Sequence, residues 1–308
     1  MGSTTFPHQS NLPVELYSLI ISHLPSPRHR LDLYSLLTVC AAFSRAATRE
    51  LYRRVSCLDQ LTTKLFFQRL VGCDNSISDC GHAAVAELVC QLTFSLGAEI
   101  GDERTLRDPG DDGLLCCMRD AFKVLHNLKV LDIRRPEEHD TYLFAPPGHH
   151  LAWIFQQAQF SLTHLFVRFE FDYDNDFEQF IIRNCRTLQV LRLENLDTES
   201  RGVTDGLDQP FTALDCVTAP GYYIFRFFLR SRPTKIWDRD GGIIFYNNPN
   251  KDLSHVTAYK GCDHCSNHPE ANQLVLRMFG SHLRFIQLYV DMKREVSTIF
   301  QHVLITST

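Results

Sequence analysis

The chain has 308 residues, of which 44% are hydrophobic and 22% charged, and its formal net charge is −5. An apolar fraction of this size supports a folded core and excludes a chain that is disordered throughout. A mildly acidic balance lacks the basic footprint of proteins that bind nucleic acids or anionic membranes, so we expect neither as a partner.

The cysteines and the N-terminus indicate an intracellular protein, in the cytoplasm, the nucleus or both. There are 11 cysteines, an odd number that does not favour a complete disulfide framework. The first residues are polar and lack the apolar segment of a signal peptide. No apolar run is long enough to cross a bilayer. We therefore expect a reducing compartment in which most cysteines act as small buried hydrophobic residues.

Three short helical patterns follow a polar tail that spans residues 1–10, and together they predict a small domain over residues 11–55. Pro25 and Pro27 separate the first helix from the second. The apolar faces look broader than three short helices can bury among themselves, which predicts a docking surface. The apolar positions are Leu16, Leu19, Ile20 and Leu24 in the first helix, Leu33, Leu36, Leu37 and Cys40 in the second, and Phe43, Ala46, Ala47 and Leu51 in the third.

Residues 56–308 carry a recurring motif of apolar residues at i, i+3 and i+5. A helical pattern precedes each strong copy, so each unit is a helix, a turn and a short strand, and the strands pair in parallel. Stacked units of this kind form a leucine-rich-repeat-like solenoid, and the fold class is α/β. An ordinary α/β sheet with leucine in its strands is the alternative. The strong copies begin at Leu128, Leu162, Leu188 and Leu283, and weaker ones at Leu88, Phe211 and Leu253.

The N-terminal helices carry a family resemblance. In order and spacing they resemble the F-box, and Leu51-Tyr52-Arg53-Arg54-Val55 resembles the continuation common in fungal F-box proteins with leucine-rich bodies. One departure is a longer link between Leu24 and Asp32, which would weaken docking if it displaced the helices. The matching residues are Leu12-Pro13-x-Glu15-Leu16, Ile20, His23-Leu24, Asp32-Leu33-x-x-Leu36, Val39-Cys40, Phe43 and Ala46-Ala47.

The resemblance implies a substrate-recognition adaptor of an SCF-type cullin–RING ubiquitin ligase. The F-box helices would dock on the adaptor subunit of the ligase, and through it on a cullin, while the leucine-rich body binds an unknown substrate protein. Leu19 and Ala47 are expected to hold the three helices together instead. The residues expected to bind the adaptor subunit are Leu12, Pro13, Leu16, Ile20, Leu33, Leu36, Val39, Cys40 and Phe43.

Two other classes of function stay open. The first is a leucine-rich interaction scaffold whose F-box does not join a ligase, which the long link favours. The second is a hydrolase or redox enzyme, or a structural zinc site, that uses Cys262, Cys265 and His268. We prefer a plain polar loop at these three residues. The usual motifs for acyl, phosphoryl and hydride chemistry are absent from the sequence, so we expect no enzyme activity, no metal and no cofactor.

Overall fold

A computed structural model of the chain describes most of the N-terminal two thirds and parts of the remainder. The described residues are 13–24, 30–72, 82–96, 113–134, 152–171, 175–196, 211–219, 224, 231–238, 253–263 and 283–290.

Three helices form the N-terminal module: α1 (Val14–Ser22), α2 (Arg30–Leu36) and α3 (Ala41–Arg53). Pro13 is the N-cap of α1, where the absence of an N–H costs nothing. The second helix is shorter than its apolar spacing predicts, because a turn follows Leu36 and Cys40 becomes the N-cap of α3. The core of the module consists of three buried side chains, Ile21, Leu33 and Ala47, with half-buried apolar residues around them.

The module passes into the rest of the chain without a linker. Helix α3 ends at Arg53 and strand β1 (Arg54–Cys57) begins at the next residue. The Arg53 carbonyl accepts a hydrogen bond at 3.0 Å from the Cys90 N–H, which precedes strand β2. Tyr52 packs against the core of the body. The expected domain boundary at residue 55 therefore falls inside a strand that both parts share.

The described strands form one nine-stranded parallel sheet whose strand order equals the chain order. A doubly wound α/β sheet reverses its order at a switch point, and no reversal occurs among these strands. The predicted fold class, a helical N-terminal region followed by an α/β body with a parallel sheet, is confirmed. The strands after β1 are β2 (Gln91–Ser95), β3 (Val130–Arg134), β4 (His164–Phe171), β5 (Val190–Leu196), β6 (Cys216–Ala219), β7 (Lys235–Asp238), β8 (Ala258–Asp263) and β9 (Phe285–Val290).

Helices connect the earlier strands and cover one face of the sheet. The helix after β1 has a defined start and end. The Asp59 carboxylate accepts a hydrogen bond at 2.8 Å from the Thr62 N–H at its start, and Gly72, at φ 73°, ends it. The helices are α4 (Gln60–Val71), α5 (His82–Leu88), α6 (Gly113–Val124), a 3₁₀ turn (Ala152–Phe155) and α7 (Asn175–Asn184).

The motif leucines form the core of the body. The first residue of each copy from Leu128 onward is buried, and the second residues pair in register along the sheet from Leu131 to Leu165 to Leu191. The pattern missed β1 and β7. Ahead of β7, the buried residue three positions before Ile236 is Pro233, which departs from the leucine of the motif.

Candidate protein-interaction surfaces

Helix α1 is apolar on two faces, and only one of them is buried. Tyr17 and Ile21 face inward, and the Tyr17 ring meets Phe43 edge-on with ring centroids 4.7 Å apart. Leu16, Leu19 and Ile20 lie on the other face, with 38%, 53% and 43% of their surface exposed. The sequence stripe through Leu16, Leu19 and Ile20 therefore marks the outer face of the helix and not its core face.

Helix α2 and the turn after it repeat this arrangement. Leu33 is buried in the module core, whereas Leu31, Tyr34 and Val39 are 75%, 53% and 62% exposed. Exposed large apolar side chains at this density mark an interaction site. We call them the outer apolar residues of the module: Leu16, Leu19, Ile20, Leu31, Tyr34 and Val39.

The predicted adaptor-binding residues separate into four groups, one of which is the buried Leu33. Pro13, Leu16, Ile20, Val39 and Cys40 are exposed. Leu36 and Phe43 are half-buried against the module core, and Leu12 lies outside the described residues.

Two of the predicted roles need correction. Leu33 is 4% exposed and packs in the module core, so its side chain is not accessible to a partner. Leu19 was expected to hold the helices together, but its side chain is mostly exposed. Ala47, in contrast, is fully buried between the helices, as expected.

A cavity of about 440 Å³ lies where the module meets the body. Its walls are mostly apolar side chains of α2, the turn after it, α3, β1, α4 and α5, and Arg30 and Arg69 contribute its positive charges. Beside it, burial raises the pKa of the Cys57 thiol to about 11, with Asp59 adding to the rise and Arg30 opposing it. The thiolate of Cys57 is therefore strongly disfavoured, which suits a structural and not a reactive cysteine.

The sheet face opposite the leucine core is polar. Side chains alternate between the two faces of a strand, and the strand register aligns one row of this polar face across the whole sheet. Four of its described members are half-buried, Ser56 is exposed, and Thr93, Asp132 and Thr218 are buried. The row consists of Ser56, Thr93, Asp132, Phe166, Arg192, Thr218, Trp237, Lys260 and the register position of Gln287.

Cationic side chains dominate the described part of the polar face. Asp132 accepts hydrogen bonds from Arg134 at 2.7 and 2.9 Å, and Arg168 approaches the same carboxylate at 3.2 Å. Further along the row, the Arg192 guanidinium carbon and the Lys260 ammonium nitrogen lie 6.0 and 5.4 Å from the centroid of the Trp237 ring. Both distances fall within the range of cation–π attraction.

The cysteine pair near residue 262 is only partly described. Cys262 lies in β8, where its backbone is in register with Tyr289, while Cys265 and His268 lie outside the described residues. Within the described ranges, no three His, Cys, Asp or Glu side chains come together in a way that would hold a metal ion. The helices of those ranges also include none with the length and apolar character that a bilayer crossing requires.

Comparison with known families agrees with the N-terminal geometry. A family model described as F-box-like matches residues 9–58, which span α1 through β1. The chain therefore carries an F-box-like domain with the outer apolar residues on its helices. No curated protein matches the chain.

Sequence reasoning missed the inner face of α1 and the cluster around Trp237. The helical spacing of Tyr17 and Ile21 was a signal for the first, but the neighbouring leucines concealed it. No sequence signal exists for the second, because Arg192, Trp237 and Lys260 come from three different strands.

Proposed function

We propose that this protein is a substrate-recognition adaptor of an SCF-type cullin–RING ubiquitin ligase. Its F-box-like domain docks on the adaptor subunit of the ligase, and its leucine-rich-repeat-like body binds the target protein. The chain itself performs no catalysis in this proposal. The observation that carries it is the set of outer apolar residues, which lie on α1, α2 and the following turn inside the matched domain.

The energetics of the module support a docking role. Burying one large apolar side chain completely is worth about 1.5–3 kcal/mol. Among its described residues, the module leaves several such side chains in water and buries only those of Tyr17, Ile21 and Leu33, with the smaller Ala47 beside them. A partner that covers the outer apolar residues therefore stabilises the module as well as binding to it.

The arrangement of the body supports a platform for a protein partner. Its parallel strands follow chain order, and motif leucines occupy the buried positions, as expected for leucine-rich repeats. The polar face then presents one row of side chains drawn from many strands. We infer that this row contacts the target, and that the body is of the kind found in fungal F-box proteins.

The test is co-expression of the full chain with the ligase adaptor subunit, followed by size-exclusion chromatography. We expect a stoichiometric complex and a higher yield of soluble protein. A chain that elutes alone, folded and unbound, contradicts the proposal.

A paired variant locates the contact. Leu16→Ser with Ile20→Ser changes two exposed side chains of α1, so we expect loss of the complex without loss of folding. The matched control is Leu61→Ser with Leu65→Ser, since these leucines have the same spacing on α4 and are 66% and 52% exposed. The control should bind the adaptor subunit as the unmodified chain does.

A leucine-rich scaffold that does not join a ligase is the second candidate. The observation that favours it is the long link between Leu24 and Asp32, of which residues 25–29 lie outside the described residues. In that case the adaptor subunit would not bind the unmodified chain, and the α1 variants would behave like the control.

A further inference from the structure

The cavity of about 440 Å³ between the module and the body has the size and the lining of a small-molecule site. Ligand pockets in proteins measure about 300–1,000 Å³, are mostly apolar and often lie where two structural units meet. The module contributes Leu37 and Thr48 to the walls, and the body contributes Leu70 and Val85. A ligand in this cavity would therefore contact both parts of the chain.

Water is a poor occupant of this cavity. Most of the lining side chains are apolar, so an enclosed water molecule finds few hydrogen-bond partners. Apolar atoms that replace such water bind favourably, because poorly held water is released and apolar surface is buried. The lining therefore selects a compact ligand that is apolar over most of its surface.

Two arginines give the cavity its charge. Arg30 begins α2 and is half-buried, and Arg69 lies in the last turn of α4 and is exposed. Among the described residues, no carboxylate forms an ion pair with either guanidinium, and none lines the cavity. The charge of Arg30 also reaches the buried Cys57 thiol, where it opposes the rise of the pKa. An acidic group on a ligand would thus meet one cation from each part of the chain.

We propose that this cavity binds a compact amphipathic anion, an aromatic or aliphatic molecule that carries one acidic group. The apolar part of the ligand packs between α3 of the module and α4 and α5 of the body, and the acidic group meets Arg30 and Arg69. Guanidinium groups form strong, directional hydrogen bonds with such anions, so the acidic group fixes the orientation of the ligand. The site goes beyond the adaptor role, because it requires neither a ligase subunit nor a target protein.

The outer apolar residues of the module are the competing surface for an amphipathic molecule, because they are exposed on α1, α2 and the following turn. Tyr34 belongs to both sites, since it lines the cavity and is 53% exposed. Variants that change only one of the two sites distinguish them.

The test is a fluorescence titration of the full chain with anilinonaphthalene sulfonate. The emission of this probe rises in apolar surroundings, and its sulfonate supplies the acidic group. The uncharged comparison is N-phenylnaphthylamine, which has the same rings without the sulfonate. We expect one equivalent of the sulfonate to bind, about tenfold tighter than the amine.

The double variant Arg30→Gln with Arg69→Gln should lower the affinity for the sulfonate about tenfold and leave the affinity for the amine unchanged. The matched control is Arg45→Gln with Arg49→Gln, which removes two exposed cations from α3. The control should bind both probes as the unmodified chain does.

Thr48→Trp places a large ring in the cavity and should weaken the binding of both probes by about tenfold or more. If this variant does not fold, Val85→Phe narrows the cavity from α5 and is used in its place. Leu16→Ser with Ile20→Ser changes only the outer apolar residues, so it should alter neither affinity.

Three results would overturn the inference: equal affinity for the two probes, unchanged binding by the folded cavity or arginine variants, or loss of binding in the Leu16 and Ile20 variant. The last result would place the probe on the outer apolar residues. None of them bears on docking to the ligase, because no adaptor subunit is present in the titration. Failure of the co-expression test, in turn, leaves the titration intact.

Discussion

At the residue scale, Asn184 shows how one side chain connects two structural units. It is 3% exposed at the end of α7. Its side-chain oxygen accepts a hydrogen bond at 2.7 Å from the Leu162 N–H, and its side-chain nitrogen donates to the Phe180 carbonyl at 2.9 Å. The amide thereby satisfies backbone groups both in its own helix and just before β4.

We predict that Asn184→Ala lowers the free energy of unfolding by about 1–3 kcal/mol, because the buried Leu162 N–H loses its acceptor. Urea denaturation measures the change. Asn127→Ala is the control: Asn127 is exposed and donates to the Glu87 carbonyl at 2.7 Å, so water replaces it. Equal losses in the two variants would show that burial of the amide is unimportant.

Glu178 is a second buried polar residue, and its effect has the opposite sign. It is 4% exposed, its Oε1 atom has no hydrogen-bond partner among the described residues, and burial raises the pKa of its carboxyl group. The proton on Glu178 therefore favours the folded state below the unfolded pKa, and this contribution is lost as the pH rises through the folded pKa.

We predict that Glu178→Gln raises the urea midpoint at pH 7, where the unmodified chain must bury a charge. The difference between the two proteins should shrink as the pH falls to about 4, near the unfolded pKa of a glutamate. A midpoint difference that does not change with pH would exclude ionisation as its cause.

At the scale of elements, phenylalanine rings connect the helices that cover the sheet. Phe122 of α6 stacks on Phe155 of the 3₁₀ turn at 5.4 Å, and Phe155 stacks on Phe180 of α7 at 4.4 Å. Phe67 of α4 meets Phe122 edge-on at 5.8 Å. Successive units are therefore joined by side-chain packing as well as by strand hydrogen bonds.

We predict that Phe155→Ala destabilises the protein by about 3–5 kcal/mol, because it removes the central ring of this series and leaves a cavity. Phe155→Leu should cost less, since it keeps most of the volume. Phe285→Ala is the control, because 41% of that side chain is exposed. Comparable losses for Phe155→Ala and Phe285→Ala in urea denaturation would contradict the role of the ring series.

At the scale of the whole molecule, the two parts differ in the size of their cores. The described part of the module buries four apolar side chains, those of Tyr17, Ile21, Leu33 and Ala47, whereas the core of the body is continuous from β1 to Leu283, just before β9. Helix α3 of the module runs directly into strand β1 of the sheet, so no linker separates the two parts. Local opening free energies follow the amount of buried apolar surface.

We predict that the amides of α1 and α2 exchange their hydrogens with solvent faster than those of β3 to β5. Addition of the ligase adaptor subunit should slow exchange in α1 and α2 and leave the strands unchanged, because binding stabilises only the surface it covers. Hydrogen exchange with mass spectrometry measures both. Slow exchange throughout the module before the partner is added would contradict a marginal core.

Much of the fold could be predicted because its signals are local. The motif residues Leu128, Leu162 and Leu188 are buried as their spacing indicates, and the helical pattern expected before Leu128 corresponds to α6. Strand β7 was not predicted, because Pro233 occupies the first position of the motif, where the other copies have leucine or phenylalanine. Leu19 was assigned to the inner face of α1 and Tyr17 and Ile21 were overlooked, because the helix is apolar nearly all round and its periodicity is weak.

Of the two candidate surfaces, one could be predicted from the sequence and the other could not. An F-box-like module can be recognised from sequence, because its apolar residues lie close together along the chain and their order is itself the signal. Which of them are exposed depends on how α1 and α2 rest on α3, as Leu33 and Leu19 show. The Trp237 cluster depends on strand register, since parallel pairing places β5, β6, β7 and β8 next to one another in this order whatever the length of the segments between them. Sequence determined the elements and their burial pattern, and only tertiary structure decided which side chains from distant strands share a surface, because that choice is made by pairing across the sheet and not along the chain.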